Sequence, residues 1–330
     1  MTPVVPDAWS VGLDIGGTKV SAVLVDAVGE PRAELRLASR HGVTGVVEAA
    51  ADAVERLCAD ADLVPRDLAV VGVGVPGMVD AERGLVGHAV NLGIDGVPVA
   101  LGELLAARLG GVVVRVENDL NVAALGASRL LGLDGDLAFL ALGTGVAAGV
   151  VLDGRVRRGH AGAAGELGHL PYRPDGPRCA CGQRGCLELY ASGSAIDAVW
   201  PTRRGRPAPA ELFEAASDGD PEAVRVRDEY ADAVAAAVRT LVLTLDVRHV
   251  VLGGGVAEVG PALHDAVADA LVRQAAGSAF LRGLDMVGRL VLAPPGGRLA
   301  PLGAAVAART GAYLAPDGTR TVTPDVKAAC

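Results

Sequence analysis

Three cysteines, Cys179, Cys181 and Cys186, fall within eight residues, and a histidine, His169, stands ten residues before the first of them. Three thiolates and one imidazole are the donor set of a closed tetrahedral zinc site. The C-x-C and C-x4-C spacings, with Gly182 and Gly185 between them, let the chain wrap tightly round one ion. The competing reading is disulfide pairing, which strands an odd cysteine and needs an oxidising compartment. Glu188, two residues past Cys186, either points back into the same cleft or is an exposed charge on the following helix.

A second chemistry is written in glycines. Asp14-Ile15-Gly16-Gly17-Thr18-Lys19 lies between two apolar runs. Paired glycines let the backbone approach a phosphate and turn its N–H groups inward. Thr18 adds a hydroxyl, Asp14 reaches Mg2+ through water, and Lys19 is one of two lysines in the chain. A plain hairpin turn with a capping Asp is the alternative. Gly143-Thr144-Gly145 occupies an equivalent turn later on. Gly253-Gly254-Gly255 ends a third apolar run before a helical pattern, where a nucleotide commonly meets backbone. Glu117-Asn118-Asp119-Leu120-Asn121 closes a strand and opens a helix. Either Asn118 or Asp119 is simply the N-cap, or a carboxylate here takes a proton from a substrate hydroxyl while neighbouring amides hold others. Asn91 is a further amide candidate.

The elements that must carry these groups recur in two halves. The first half predicts strands at Val11–Asp14, Lys19–Asp26 and Ala33–Ala38, a helix over 44–61, a buried strand at Leu68–Val75, a helix over 99–109, a strand at Val112–Val116 and a helix at Leu120–Leu131. The second predicts strands at Leu137–Leu142 and Val146–Leu152, then a tight turn at Asp153-Gly154 into a short third strand. A Gly- and Cys-rich insertion follows at 159–190, and residues 201–209 read as a Pro/Arg loop. Helices at 221–245, Pro261–Gln274 and Pro301–Arg309 alternate with strands at His249–Leu252 and Leu290–Ala293. This is a duplication of architecture, which predicts two α/β domains with mixed sheets facing a cleft. The expected division is a smaller domain at 1–118, on which a C-terminal helix at 301–314 packs, a larger domain at 119–300 containing the zinc module at 165–190, and a flexible tail at 315–330.

Of the 330 residues, 51% are hydrophobic and 21% charged, and the formal net charge is -9. An acidic chain argues against non-specific nucleic-acid binding, which needs a basic surface. No apolar run reaches the ~18–20 residues of a membrane span, and the first ten residues do not read as a signal peptide. A cytoplasmic protein without a membrane partner is the expectation.

With these motifs in view, the chain resembles the ROK family (repressors, open reading frames and sugar kinases). The matching stretches are DIGGTK at 14–19, GVGVPGMVD at 72–80, ENDLN at 117–121, GTG at 143–145, GELGH at 165–169, CACGQRGCLE at 179–188 and LGGGVA at 252–257. The resemblance implies an actin-like (ribonuclease-H-like) two-domain ATPase fold, ATP with Mg2+ as phosphoryl donor and a sugar hydroxyl as acceptor, most often glucose. It implies Asp119 as catalytic base, Asn91, Asn118, Glu166, His169 and Glu188 as sugar contacts, and His169, Cys179, Cys181 and Cys186 as ligands of a structural Zn2+. It also implies a homo-oligomer, a dimer or tetramer. Fructose, mannose, an N-acyl hexosamine or a cyclitol remains an alternative acceptor, polyphosphate an alternative donor, and a sugar-sensing regulator the non-enzyme alternative.

Overall fold

Two apolar runs separated by Gly16 and Gly17 fold back on each other, so that strands β1 (Trp9–Ile15) and β2 (Lys19–Val25) pair antiparallel from Ser10 against Val25 to Ile15 against Val20. The computed structural model describes residues 9–202 and 205–311. The tail expected at 315–330 lies outside the described residues. From β2 the chain passes through β3 (Pro31–Ala38), α1 (Gly42–Ala59), β4 (Leu68–Val75), β5 (Met78–Asp80), β6 (Leu85–Gly87), α2 (Leu101–Arg108), β7 (Val114–Asn118) and α3 (Asp119–Leu131). Then come β8 (Leu137–Leu142), β9 (Val146–Leu152), β10 (Arg155–Val156), α4 (Glu188–Ala191), α5 (Gly193–Val199), α6 (Ala208–Ser217) and α7 (Pro221–Leu245). The last elements are β11 (His249–Gly253), α8 (Pro261–Ala275), α9 (Ala279–Gly283), β12 (Leu290–Leu292) and α10 (Leu299–Thr310).

The described residues divide into two compact units. One draws on residues 9–133, 155–164 and 296–311, the other on Asp134–Gly154 and Gly165–Pro295. In the first unit the sheet order is β3-β2-β1-β4-β7, with β1, β4 and β7 parallel. Its central strands are almost wholly apolar and buried (Val11, Leu13, Ile15, Val71, Val73, Val75), as parallel strands covered on both faces require. Helix α10 covers one face at very short range. A Cβ on Gly12 or Gly72 would run into the α10 backbone at Pro301 or Ala304. The same helix seats against α3, where Gly126 and Gly303 sit directly on the opposing backbone.

In the second unit the order β9-β8-β11-β12 repeats the pattern, an antiparallel pair followed by parallel strands. Its core is dominated by Ala, Val and Leu from α7, α8 and the strands.

Three differences from the sequence reading have physical causes. Residues 208 and 209, expected at the end of the loop, open a helix to 217 that the sequence reading left unassigned: Pro209 sits in the first turn of α6, where a missing N–H costs nothing, and Glu211 accepts hydrogen bonds from Thr202 Oγ1 (2.9 Å) and the Arg206 N–H (3.3 Å). The C-terminal helix, expected at 301–314, begins at Leu299 and stops at Gly311, whose left-handed backbone (φ 70°) ends it. The division of the chain also differs from the expected boundary at 118/119. Because α3 and α10 pack backbone to backbone, α3 belongs with the first unit, and residues 155–164 return to it.

Candidate active site

Strand β7 ends in polar residues because helix α3 must begin there with its first N–H groups satisfied. Asn118 supplies the cap: its Oδ1 accepts from the Leu120 N–H at 3.0 Å and the Asn121 N–H at 3.4 Å. Its Nδ2 donates to the Gly77 carbonyl at 3.3 Å. The N-cap reading of this stretch therefore describes Asn118. Asp119 is the first residue of α3, and its Oδ1 accepts from the Leu120 N–H at 2.9 Å. A carboxylate at a helix N-terminus sits in the favourable end of the helix dipole.

Asp14, at the end of β1, is close enough to Asp119 to feel its charge. Burial, then that like charge, push the Asp14 carboxyl up to about 7, while Lys19 and Arg36 pull the other way. The turn after Asp14 is closed by the Gly16 N–H donating to the Lys19 carbonyl at 2.9 Å. Gly17 lies flat on the backbone of Asn91, and an added Cβ would stand 2.8 Å from the Asn91 carbonyl oxygen. Asn91 itself is exposed, in the short turn Val90–Leu92. The first unit thus brings together Asp14, the Gly16–Lys19 turn and Asp119, with Asn118 committed to the helix cap. Thr18 and Lys19 are exposed.

Sequence reasoning named Glu117 only as part of its stretch and missed that it is the most heavily bonded group here, and with it its partner Arg158. Glu117 is 1% exposed. Its Oε2 accepts from Arg158 Nε (2.8 Å) and Nη2, and its Oε1 from the Asn118 N–H (2.9 Å) and Asn121 Nδ2 (3.0 Å). Arg158 is 41 residues away in sequence and belongs to no motif, so no local pattern pointed to it.

In the second unit the Gly143–Gly145 turn joins β8 to β9 and is closed by the Gly143 N–H donating to the Gly145 carbonyl at 3.1 Å. The Gly143 carbonyl accepts from the Gly193 N–H at 2.6 Å, at the start of α5. Gly254 (φ 85°) is pressed against the backbone of Leu142, where only glycine fits, while Gly255 faces open space. The Gly143–Gly145 turn and the Gly253–Gly255 loop are therefore neighbours. Glu188 joins them: its Oε2 accepts from the Val146 N–H at 3.2 Å and lies over Gly145. The structure thus turns Glu188 toward the glycine turn. Glu166 is exposed just before the short turn Leu167–His169.

The four metal candidates converge. The ligand atoms of His169, Cys179, Cys181 and Cys186 all lie within 4.8 Å of one another. Cys181 Sγ and Cys186 Sγ are 3.6 Å apart, and Cys179 Sγ is 3.9 Å from His169 Nδ1. Donors about 2.3 Å from a shared zinc stand about 3.8 Å apart at tetrahedral angles, so the donor set fits the ion. All four cysteines among the described residues are free thiols. Hydrogen bonds from Gln183 pull Cys181 down to about 6, whereas burial pushes Cys186 up to about 12. The module is braced by Gln183 Nε2 donating to the His169 carbonyl (3.3 Å) and by Arg173 stacked over Tyr190 at 5.0 Å. A separate cavity of about 650 Å³ on the first unit, bordered by Ser39, Arg40, Asp52 and Arg56, contains none of the candidate residues.

Residues 10–309 match the ROK family. The glucokinase of Streptomyces coelicolor is 38% identical over 218 residues, 65% of this chain and 66% of that relative, so the match spans about two thirds of the relative's length. The N-acetyl-D-glucosamine kinase of Escherichia coli O157:H7 is 32% identical over 285 residues, 79% of this chain and 88% of its own. Among solved structures, a ROK glucokinase from Streptomyces griseus in complex with glucose and AMPPNP superposes with a TM-score of 0.73 at 32% identity, covering 92% of this chain and all (100%) of that one.

Proposed function

This chain belongs to the ROK family and groups within it with the glucokinase-like sugar kinases, and from that premise we propose that it transfers the γ-phosphoryl group of ATP to a hexose hydroxyl, glucose yielding glucose 6-phosphate. The observation that carries the reading is the meeting of Asp14, the Gly16–Lys19 turn and Asp119 at the ends of parallel strands. Asp119 takes the proton of the acceptor hydroxyl as that oxygen attacks phosphorus. Phosphoryl transfer asks the protein chiefly for positioning and charge neutralisation. Backbone N–H groups of the Gly16–Thr18 and Gly143–Gly145 turns would hold phosphate oxygens, the Gly253–Gly255 loop would approach the nucleotide, Lys19 would add positive charge, and Asp14 would help hold Mg2+, which would neutralise phosphate charge. Asn91, Glu166, His169 and Glu188 are the sugar contacts, and Asn118, its oxygen spent on the helix cap and one amide N–H on Gly77, offers its second N–H as a further one. The repeated sheet pattern supports an actin-like duplicated ATPase fold.

His169, Cys179, Cys181 and Cys186 hold a structural zinc in this reading. Four protein donors leave no open position for a substrate or an activated water, so the ion organises the module and takes no part in the chemistry. The second imidazole nitrogen of His169 remains for a sugar hydroxyl, its direction fixed by the metal.

The similarity to an N-acetyl-D-glucosamine kinase makes an N-acyl hexosamine the alternative acceptor. Incubating the protein with MgATP and each sugar, and reading ADP release, separates the two. The expected order places glucose first. ADP release with no sugar above background would refute the kinase reading.

A further inference from the structure

Glu117 has no part in the reaction described above, yet it is among the few buried charged side chains of the described residues. Both of its oxygens are saturated, one by the guanidinium of Arg158 and the other by the Asn118 N–H and the Asn121 amide. Replacing a buried ion pair by packed apolar groups is often neutral or stabilising, so stability alone does not account for this one. The position of its bonds does. Glu117 grips the residue before Asp119 by its backbone and the residue two after it by its side chain. Between those two grips, Asn118 caps the helix through the Leu120 and Asn121 N–H groups. Asp119 is the residue enclosed by this circuit, so its backbone has no slack on either side.

Arg158 completes the circuit from outside the local sequence. It lies on residues 155–164, which leave the second unit and return to the first. Past β10 that segment is punctuated by Gly159 (φ 76°) and Gly162 (φ 77°) and has no further strand or helix, so Arg158 ties this irregular stretch to Glu117. The arginine side chain is 25% exposed, which leaves room for truncation without opening the core.

We propose that Glu117 and Arg158 are positioning residues for Asp119: the buried pair fixes the turn from β7 into α3 so that the Asp119 carboxylate meets the acceptor hydroxyl in line. This rests on Asp119 being the base. A carboxylate displaced by about 1 Å costs up to about a hundredfold in rate without loss of substrate binding.

The test compares the wild type with Arg158→Ala, Arg158→Lys, Glu117→Gln and the double variant Arg158→Ala/Glu117→Gln. Arg158→Ala is expected to lower kcat about tenfold to a hundredfold with sugar KM within about threefold. Arg158→Lys recovers part of that loss, because one charged donor returns. The double variant is expected to turn over faster than Arg158→Ala, since the buried carboxylate is no longer left unpaired. Amide hydrogen exchange supplies a readout independent of activity. In Arg158→Ala the Leu120 and Asn121 N–H groups should exchange at least about tenfold faster, while β4 is unchanged. Unaltered exchange at these two amides overturns the proposal, as does a loss confined to KM or a double variant no better than the single one. A wild type inactive toward every sugar, but with the expected exchange difference, refutes the kinase reading and leaves the clamp standing. An active wild type with an unaffected Arg158→Ala does the reverse.

Discussion

Asp119 and Asp14 are two carboxylates in one corner of the first unit, and their surroundings differ. Asp119 stands at a helix N-terminus, where the dipole favours the anion. Asp119→Ala is expected to reduce kcat by about 10²–10⁴-fold while sugar affinity stays within a few fold, because the other hydroxyl contacts survive. Steady-state kinetics with calorimetric titration of sugar checks both halves. Asp14 has its carboxyl raised from 3.8 to about 7 by burial and by Asp119. A folded-state pKa above the unfolded one means that the native state binds the extra proton between those values. Stability therefore falls as pH rises from about 4 to about 7, and the penalty is fully present above 7. Asp14→Asn removes it. Its melting temperature relative to wild type should be higher at pH 8 than at pH 4.5, and equal differences at the two pH values would contradict the assignment.

At the scale of elements, the close seat of α10 depends on side chains that are absent. A Cβ at Gly303 would collide with the backbone of Val122 and Gly126 in α3, and neither backbone can yield cheaply. Gly303→Ala should destabilise the protein by about 1–3 kcal/mol, the usual range for overpacking, despite alanine's better helix propensity. Thermal or urea unfolding measures this. The zinc module makes a parallel prediction. Cys181→Ser leaves three donors, so metal content by elemental analysis should drop and sugar KM should rise steeply or activity vanish. ATP-analogue affinity should change little, since the Gly16–Lys19 turn closes on its own backbone. A metal-free wild type with full activity would contradict the structural-zinc reading.

These elements also show what a sequence discloses. The turns at Gly16-Gly17 and Gly143–Gly145 were legible because paired small residues interrupt apolar runs, and the cysteine cluster because its ligands are neighbours in sequence. The cap at Asn118 was legible for the same reason. Arg158 was not, because its partner is 41 residues away and an arginine in a basic stretch looks solvated. Nor was the membership of α3 in the first unit, which depends on Gly126 and Gly303 meeting across helices remote in sequence. Helix α6 was hidden by its prolines, which read as loop although Pro209 sits where a helix accepts one.

At the scale of the whole molecule, one architectural unit occurs twice, and each copy presents a glycine turn between its first two strands. The first copy adds the carboxylates Asp14 and Asp119, and the second adds Glu188 and the Cys/His cluster. With a net charge of -9, the surface repels polyanions, so under the proposed function local N–H groups and Lys19 would supply the attraction for phosphate. The most direct measurement of the central claim is phosphoryl transfer itself: wild type and Asp119→Asn incubated with MgATP and glucose, with ADP and sugar phosphate quantified together. The account predicts equal amounts of ADP and glucose 6-phosphate from the wild type and a loss of at least about 10²-fold in the variant. Glucose 6-phosphate formed at near wild-type rate by Asp119→Asn would contradict it.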